Sequence, residues 1–352
     1  MRQGRTNFRK LGGLLGNDSP HRDLAATWIE PRHLLTHRKW APATMAALHV
    51  AREAVAEAGW DDRELAEAVL FLGSSRGTAD GGVEAWPQRR AFPLMAASNS
   101  LHCEPAAAIS IELGIHGPWQ VQASGCAAGL DALGMASLWL QSGLAPRAIV
   151  VAVDLPLSPL LLGNYAATGI LSKDGTNDPY SPSTTGIIPA EAAAALTLEA
   201  RGRPGTPKLA GYHANADAAN AIDMPPGAPG LVALLEAAVE RFGHPAAICP
   251  HASGTASNSA REPAAILNAL GPSCICPVKP FTGHGIGGGG LLESVIVAAF
   301  LRSGRLPPPL PGLTCPDGLT MTPATLSPSA IVFKIASALG GKNSLVALQA
   351  PS

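Results

Sequence analysis

With 352 residues, a net charge of −1, 14% charged and 47% hydrophobic side chains, the chain offers no overall field to a polyanion, so bulk charge excludes nucleic acid as a partner. No run approaches the roughly 20 consecutive apolar residues of a membrane span, and the basic stretch Met1 to Lys10 lacks the apolar core of a signal peptide. Six scattered cysteines (Cys103, Cys126, Cys249, Cys274, Cys276 and Cys315) form no disulfide framework in so long a chain, and the whole reads as a reduced, soluble, cytoplasmic protein.

The length suits two domains or two fused halves. Residues 1–25 read as irregular, with turns at Gly12-Gly13 and Asn17-Asp18-Ser19-Pro20. The first half runs from 26 to 200. A helix is predicted over Ala41 to Gly59, with Pro42 in its first turn and glycine at its end. Glu67 to Ser75 reads as a buried strand, and Pro105 to Leu113 as a helix ended by Gly114. Gly117-Pro-Trp-Gln-Val-Gln is a turn feeding a short strand. Ala127 to Gln141 follows, a helix with hardly a polar face and therefore buried nearly all round. Arg147 to Asp154 is a continuous apolar strand, Leu155 to Pro189 a long functional or interface loop, and Glu191 to Glu199 a strand.

Arg201-Gly-Arg-Pro-Gly-Thr-Pro reads as a hinge, and the second half spans 206–352. It offers an amphipathic helix at Leu231 to Phe242, a short strand at Ala246 to Cys249 and a helix at Arg261 to Leu270. An apolar helix from Gly290 to Ser303 follows a run of glycines, and a closing hairpin pairs Ala330–Ile335 with Asn343–Leu348. Solid apolar strands alternating with helices imply an α/β protein whose sheets are covered on both faces.

Three stretches carry candidate chemistry. Cys126, in Gln122-Ala-Ser-Gly-Cys-Ala-Ala-Gly, sits at a strand-to-helix junction where unpaired N–H groups and the positive helix end favour thiolate and nucleophilic attack. Cysteine is also among the most buried residue types, so this stretch alone leaves nucleophile and core residue both open. The second is Pro250-His251-Ala-Ser253-Gly-Thr255 with Glu262 beyond it; a helix-capping histidine is the plainer alternative. The third is Val278-Lys279-Pro-Phe281-Thr-Gly-His284-Gly-Ile-Gly-Gly-Gly-Gly, ending at Glu293, where the glycines could equally serve close helix packing. A phosphate loop would need Gly-Lys-Ser/Thr after the glycines, and a metal site at Cys274 and Cys276 lacks paired ligand spacing, so no metal is assigned.

Taken together the three stretches resemble the β-ketoacyl synthases, the condensing branch of the thiolase superfamily, and the chain looks like a short divergent member of type II fatty-acid and polyketide systems. Cysteine, histidine, lysine and histidine come in the family's order, and weaker agreement runs from Pro42 to the terminal Gly340-Gly-Lys-Asn343. The resemblance implies a thiolase-like fold of two pseudo-symmetric halves in α-β-α-β-α layers. It implies acyl transfer to Cys126, then decarboxylative condensation with a malonyl group on an acyl carrier protein. His251 and His284 would stabilise the enolate, Lys279 would work with Glu293, and Glu262 would support the first histidine. Backbone N–H groups of Cys126 and Ser337 would form the oxyanion hole. Ser253, Thr255 and Phe281 would hold the pantetheine arm, so no separate cofactor is expected. Arg38 and Lys39 would dock the acidic carrier, with Arg89, Arg90 and the basic N-terminus as lesser contributors. A homodimer, or a heterodimer with another ketosynthase-like subunit, is implied as well.

The departures are also specific. The family's opening Thr-Gly-x-Gly strand is missing, and its internal Arg-Asp pair is replaced within Tyr180 to Ala194. Ser337 stands where a gating phenylalanine is common, Ala252 where a glycine follows the first histidine, and Asp178 where relatives carry a basic residue. These leave two other readings: a chain-length-factor-like partner subunit without its own condensing activity, and an acyl transferase that does not decarboxylate.

Overall fold

The computed structural model describes residues 1, 3–78, 97–322 and 324–352. In the first half the main elements are α1 (Pro42–Ala58), β1 (Val69–Gly73), α2 (Glu104–Leu113), β2 (Trp119–Gln122), α3 (Ala128–Gln141), β3 (Arg147–Asp154), α4 (Pro159–Thr168) and β4 (Ala192–Glu199). The second half adds β5 (Lys208–Ala216), α5 (Pro229–Phe242), β6 (Ala247–Cys249), α6 (Ala256–Leu270), α7 (Ile286–Leu301), β7 (Ile331–Ala338) and β8 (Lys342–Gln349). Local chemistry sets many of these boundaries. Pro42 opens α1, and Gly59, at φ 66°, closes it in the left-handed conformation a side chain would disfavour.

The strands form two four-stranded sheets, ordered β2-β1-β3-β4 and β5-β8-β7-β6. In the first, β1 is parallel to β2 and β3, while β4 runs antiparallel to β3. In the second, β7 is parallel to β6 and antiparallel to β8. Ile248 of β6 bridges Ile275 in parallel on its other side, repeating the β1–β2 relation. Read in this order the sheets correspond strand for strand, except that β5 pairs with β8 and, among the described residues, β4 has no such neighbour.

Five layers result, as the resemblance implied. Leu48 and Ala51 of α1 and Ile109 of α2 cover the outer face of the first sheet at Leu70, Leu72, Ile149 and Val151. Leu231, Leu234 and Leu235 of α5 and Ile266 of α6 cover the second sheet at Phe333, Ile335 and Leu345. Between the sheets lie α3 and α7, with Leu130, Leu133, Leu291 and Val297 packed against Phe71, Val150, Val332 and Val346. Their closeness depends on missing side chains. A Cβ on Gly129 would stand 2.7 Å from the Gly287 carbonyl oxygen, and one on Gly134 would fall 2.1 Å from the Tyr212 ring. At the centre Asp131 of α3 accepts hydrogen bonds from the hydroxyls of Tyr212 in β5 and Ser344 in β8, so the nucleophile helix is tied to the opposite sheet.

Three expectations need correction. The stretch 155–189 is not a continuous loop: α4 occupies Pro159–Thr168, capped by the Ser158 hydroxyl and stopped by Gly169. The glycines at 287–290 do not precede a helix but form the first turns of α7, where their lack of side chains lets the helix meet α3 and β4. Residues 208–216, left without an element by the sequence reading, form the edge strand β5. Polar and small residues (Lys208, Gly211, His213, Asn215) had masked the strand pattern there.

Candidate active site

Cys126 lies in a single 3₁₀ turn, Gly125–Ala127, that leads into α3. It opens into a cavity of about 340 Å³ also lined by His251, Ser253, Thr255, His284 and Ser337. The three motifs, the first more than a hundred residues before the other two, therefore meet at one place. His251 follows the end of β6, and His284 follows the one-turn helix Lys279–Thr282. Their rings stand edge to face, with centroids 5.3 Å apart and planes at 81°.

The second half holds these imidazoles by buried hydrogen bonds. The Glu262 carboxylate accepts from the N–H of His251 at 2.6 Å, the N–H of Ala252 at 2.8 Å and the Tyr180 hydroxyl at 3.0 Å. Ala252 is thereby kept at φ 45°, a conformation strained for a residue with a side chain. Nδ1 of His284 accepts the Ile286 N–H at 3.0 Å, which leaves its proton on Nε2 as a donor. Nδ1 of His251 is buried and has no partner among the described residues. Burial, then the Lys279 ammonium, holds both imidazoles well below their ordinary pKa, so both are neutral at pH 7.

Lys279 donates to Glu293 Oε1 at 2.7 Å, both side chains being almost wholly buried. Burial brings the Lys279 ammonium down from its ordinary pKa, with Glu293 opposing. Asp154, at the end of β3, accepts from the Ser74 hydroxyl at 2.9 Å and from the N–H groups of Ser75 at 3.0 Å and Gly287 at 2.7 Å, tying the segment after β1 and the first turn of α7 to the end of β3.

Cys126 itself corrects the sequence reading. The thiol packs beside Tyr165, Ile187 and Ile286, and burial pushes its pKa up to about 11 despite the nearby Lys279 ammonium. Desolvation of the thiolate outweighs the positive helix end, so Cys126 rests as a thiol.

Ser253 and Thr255 hydroxyls lie 3.1 Å apart at the cavity wall, and Thr255 also caps α6 through the Asn258 N–H. In the β7–β8 hairpin the Ala350 N–H to Ala330 carbonyl bond fixes the alternation. Even-numbered β7 residues bond to β8, so the Ser337 N–H points away from it, beyond the end of β6 and on the cavity side. Phe281 is buried beside Lys279 but is not among the residues lining the cavity. Arg38 is exposed, while the Lys39 ammonium sits 4.0 Å over the Trp40 ring. Arg89 and Arg90 lie outside the described residues. Basic N-terminal groups are partly engaged, Arg9 with Glu30 and Lys10 with Asp23. Asp178 accepts from the Thr314 N–H and hydroxyl, which fixes a loop. Among the described residues no group of three His, Cys, Asp or Glu is arranged to hold a metal, and no helix is long and apolar enough to cross a membrane.

Residues the sequence reading passed over include Tyr180, Asp154 and Lys334. Only Lys334 left a visible signal: a lone charge in an otherwise apolar hairpin strand.

The five layers are those of the thiolase-like ketosynthases. Solved structures with the same fold include a ketosynthase/chain length factor named for ishigamide, with a TM-score of 0.83 at 22% identity over 100% of this chain and 93% of that one. Another is a type II polyketide acyl-carrier protein in complex with its ketosynthase bound to the hexaketide, with a TM-score of 0.82 at 22% identity over 99% and 93%. Family models for the N-terminal and C-terminal domains of β-ketoacyl synthase match residues 9–202 and 207–312, and the chain belongs to that family. It is 26% identical to the actinorhodin polyketide putative β-ketoacyl synthase 1 of Streptomyces coelicolor, over 88% of this chain and 74% of that protein. Identity to 3-oxoacyl-[acyl-carrier-protein] synthase 2 of Staphylococcus aureus is 25%, over 84% and 80%. Against a putative polyketide β-ketoacyl synthase 1 of Streptomyces cyaneus it spans 64% of the relative's length at 27% identity.

Proposed function

We propose that the chain is a decarboxylative β-ketoacyl synthase acting on acyl groups carried by an acyl carrier protein. The observation that carries this reading is the convergence of Cys126, His251 and His284 on one cavity, with the buried Lys279–Glu293 pair behind them. In the first step the Cys126 sulfur attacks the carrier thioester. As the new S–C bond forms, the carrier's S–C bond breaks and the Cys126 proton passes to the carrier sulfur, which departs as the free thiol. In the second, a malonyl thioester loses carbon dioxide, and the electron pair of the broken C–C bond becomes a thioester enolate. The neutral imidazoles offer N–H donors to the enolate oxygen. The enolate carbon then attacks the acyl carbonyl, with the N–H groups of Cys126 and Ser337 as oxyanion donors, and the Cys126 sulfur is released to regain its proton. Arg38 and Lys39 are assigned to carrier docking. The half-exposed edge strand β2, where Trp119 is exposed, is assigned to pairing with a second ketosynthase-like subunit.

The test is mass spectrometry of Cys126 after incubation with acyl carrier protein, together with carbon dioxide release from malonyl carrier. Acylation at Cys126 with carbon dioxide release is expected. Labelling that persists in Cys126→Ala would remove the nucleophile assignment, and acylation without carbon dioxide would leave an acyl transferase. The altered 180–194 segment favours a second reading, a chain-length-factor-like subunit. In that segment Glu191 pairs with the distant Arg32. Activity that appears only when another ketosynthase-like protein is added, and survives Cys126→Ala, would establish it.

A further inference from the structure

Lys334 lies in the middle of β7 with no exposure at all. Phe333 and Ile335 face the outer helices, whereas Val332 and Ala336 face the central layer. Strand alternation puts Lys334 on the central face, toward α7. Its ammonium donates to the carbonyl oxygens of Pro250 at 3.2 Å and Ile335 at 2.7 Å, and pairs with Glu293 Oε2 at 2.8 Å in a geometry that is ionic rather than hydrogen-bonded. Glu293 thus sits between two ammonium groups, Lys279 on one oxygen and Lys334 on the other.

This is more positive charge than the carboxylate needs. Desolvating an ammonium group costs several kcal/mol in a protein interior, and Lys279 alone already neutralises Glu293. An apolar residue would fill the same space without that cost. Pro250 immediately precedes His251, so the extra cation also grips the backbone one residue before the imidazole. We propose that Lys334 is a positioning residue of the condensing site, anchoring the Pro250 carbonyl and setting a second positive charge, beside Lys279, against His251 and His284. The inference rests on the condensing reading above. The ionisable groups around the two imidazoles are Lys279, Glu293 from α7, Lys334 from β7, Glu262 from α6, Asp154 from β3 and the Cys126 thiol, with Arg76, Tyr165, Asp217 and Asp223 farther along the same cavity wall. Lys334 acts on both rings in the same direction as Lys279, lowering their affinity for a proton. Burial works against its own charge, and Glu293, together with Cys249 and Glu262, more than restores it.

The test compares Lys334→Met and Lys334→Gln in the full chain. Gln retains a donor for the Pro250 carbonyl but no charge. NMR titration of the imidazole carbons reads the charge without requiring turnover, and carbon dioxide release from malonyl-N-acetylcysteamine reads the chemistry. Both variants should raise the imidazole titrations and move the acid limb of decarboxylation to higher pH. At pH 7 the rate should fall by about ten- to a hundredfold, as when an outer partner of a reacting group is lost, with KM nearly unchanged. Above the new limb Gln should recover more of the rate than Met. Unmoved titrations in folded variants would overturn the proposal, as would a rate loss that follows melting temperature with an unshifted pH profile. Failure of both variants to fold would overturn it too, making Lys334 an element of the fold alone. Wild-type protein that releases no carbon dioxide, while the variants still shift the imidazoles, would remove the condensing reading and leave the electrostatic placement standing.

Discussion

The first half presents its reactive group by subtraction, and the second by buried charge. Around Cys126 the helices approach through Gly129, Gly287 and Gly290, and the cysteine rests as a thiol in a largely apolar surround. Around His251 and His284 stand Glu262, Glu293, Lys279 and Lys334, all nearly inaccessible to water. A nucleophile that is deprotonated only as it attacks needs a fixed position. A hydrogen-bond donor needs a fixed protonation state, and that requires neighbouring charges. The same layered half thus serves two chemistries through different central residues.

Removing the sulfur is the largest break in this comparison. Cys126→Ala should lower condensation by roughly 10⁴-fold or more, measured as β-ketoacyl product, while leaving the imidazole titrations in place. The packing of the first half is broken next. Gly129→Val would drive a branched side chain into the Gly287 backbone and should cost about 3 kcal/mol, read as a lowered denaturation midpoint. Gly163→Ala in α4 meets nothing within 4 Å and should instead stabilise by about 0.5–1 kcal/mol.

Acid and alkali should then separate the halves. The native imidazoles titrate well below their ordinary value of 6.5, so below that pH the unfolded chain binds protons that the native protein refuses. Their contribution is fully present above about pH 6.5 and falls as pH drops, with a slope of about 1.4 kcal/mol per unit for each imidazole, or about 2.7 for both. Cys126 acts at the other end. Its thiol keeps its proton to about 11 in the fold against an ordinary 9.0, so stability falls as pH rises between these values, by about 1.4 kcal/mol per unit. Denaturation across pH should show both arms, and Cys126→Ala should make only the alkaline one shallower, the buried Cys276 thiol, also held above its ordinary value, supplying the rest. A substitution in the second half sharpens the comparison: Ala252→Gly relieves the strain at φ 45° and should stabilise by about 1 kcal/mol, seen as a modest rise in Tm with Glu262 still bonded to the loop.

Motif order and strand pattern made the layers and the principal site residues legible because both depend on local residue types. Arg147–Asp154 reads as a buried strand from its own composition, and the burial of α3 from its missing polar face. β5 did not read so clearly, since its pairing with β8 supplies the stability that Gly211 and Asn215 withhold. The thiol state of Cys126 was likewise beyond local reasoning. Its neighbours Ile187 and Ile286 come from distant segments, and their apolar surface, rather than the helix end, decides the charge. Lys334 was visible as a lone lysine, but its partners Pro250 and Glu293 lie 84 and 41 positions away in the chain.

The Asp131 link between α3 and the opposite sheet has a further consequence, for unfolding. Each sheet has its own outer core, but the inner faces of both are covered by α3 and α7 together, and Tyr212 and Ser344 bind the first half's helix from the second. The two halves should therefore melt as one cooperative unit rather than as successive domains. Scission at the exposed Arg201 should give two fragments that remain associated and separate only when the shared middle layer comes apart.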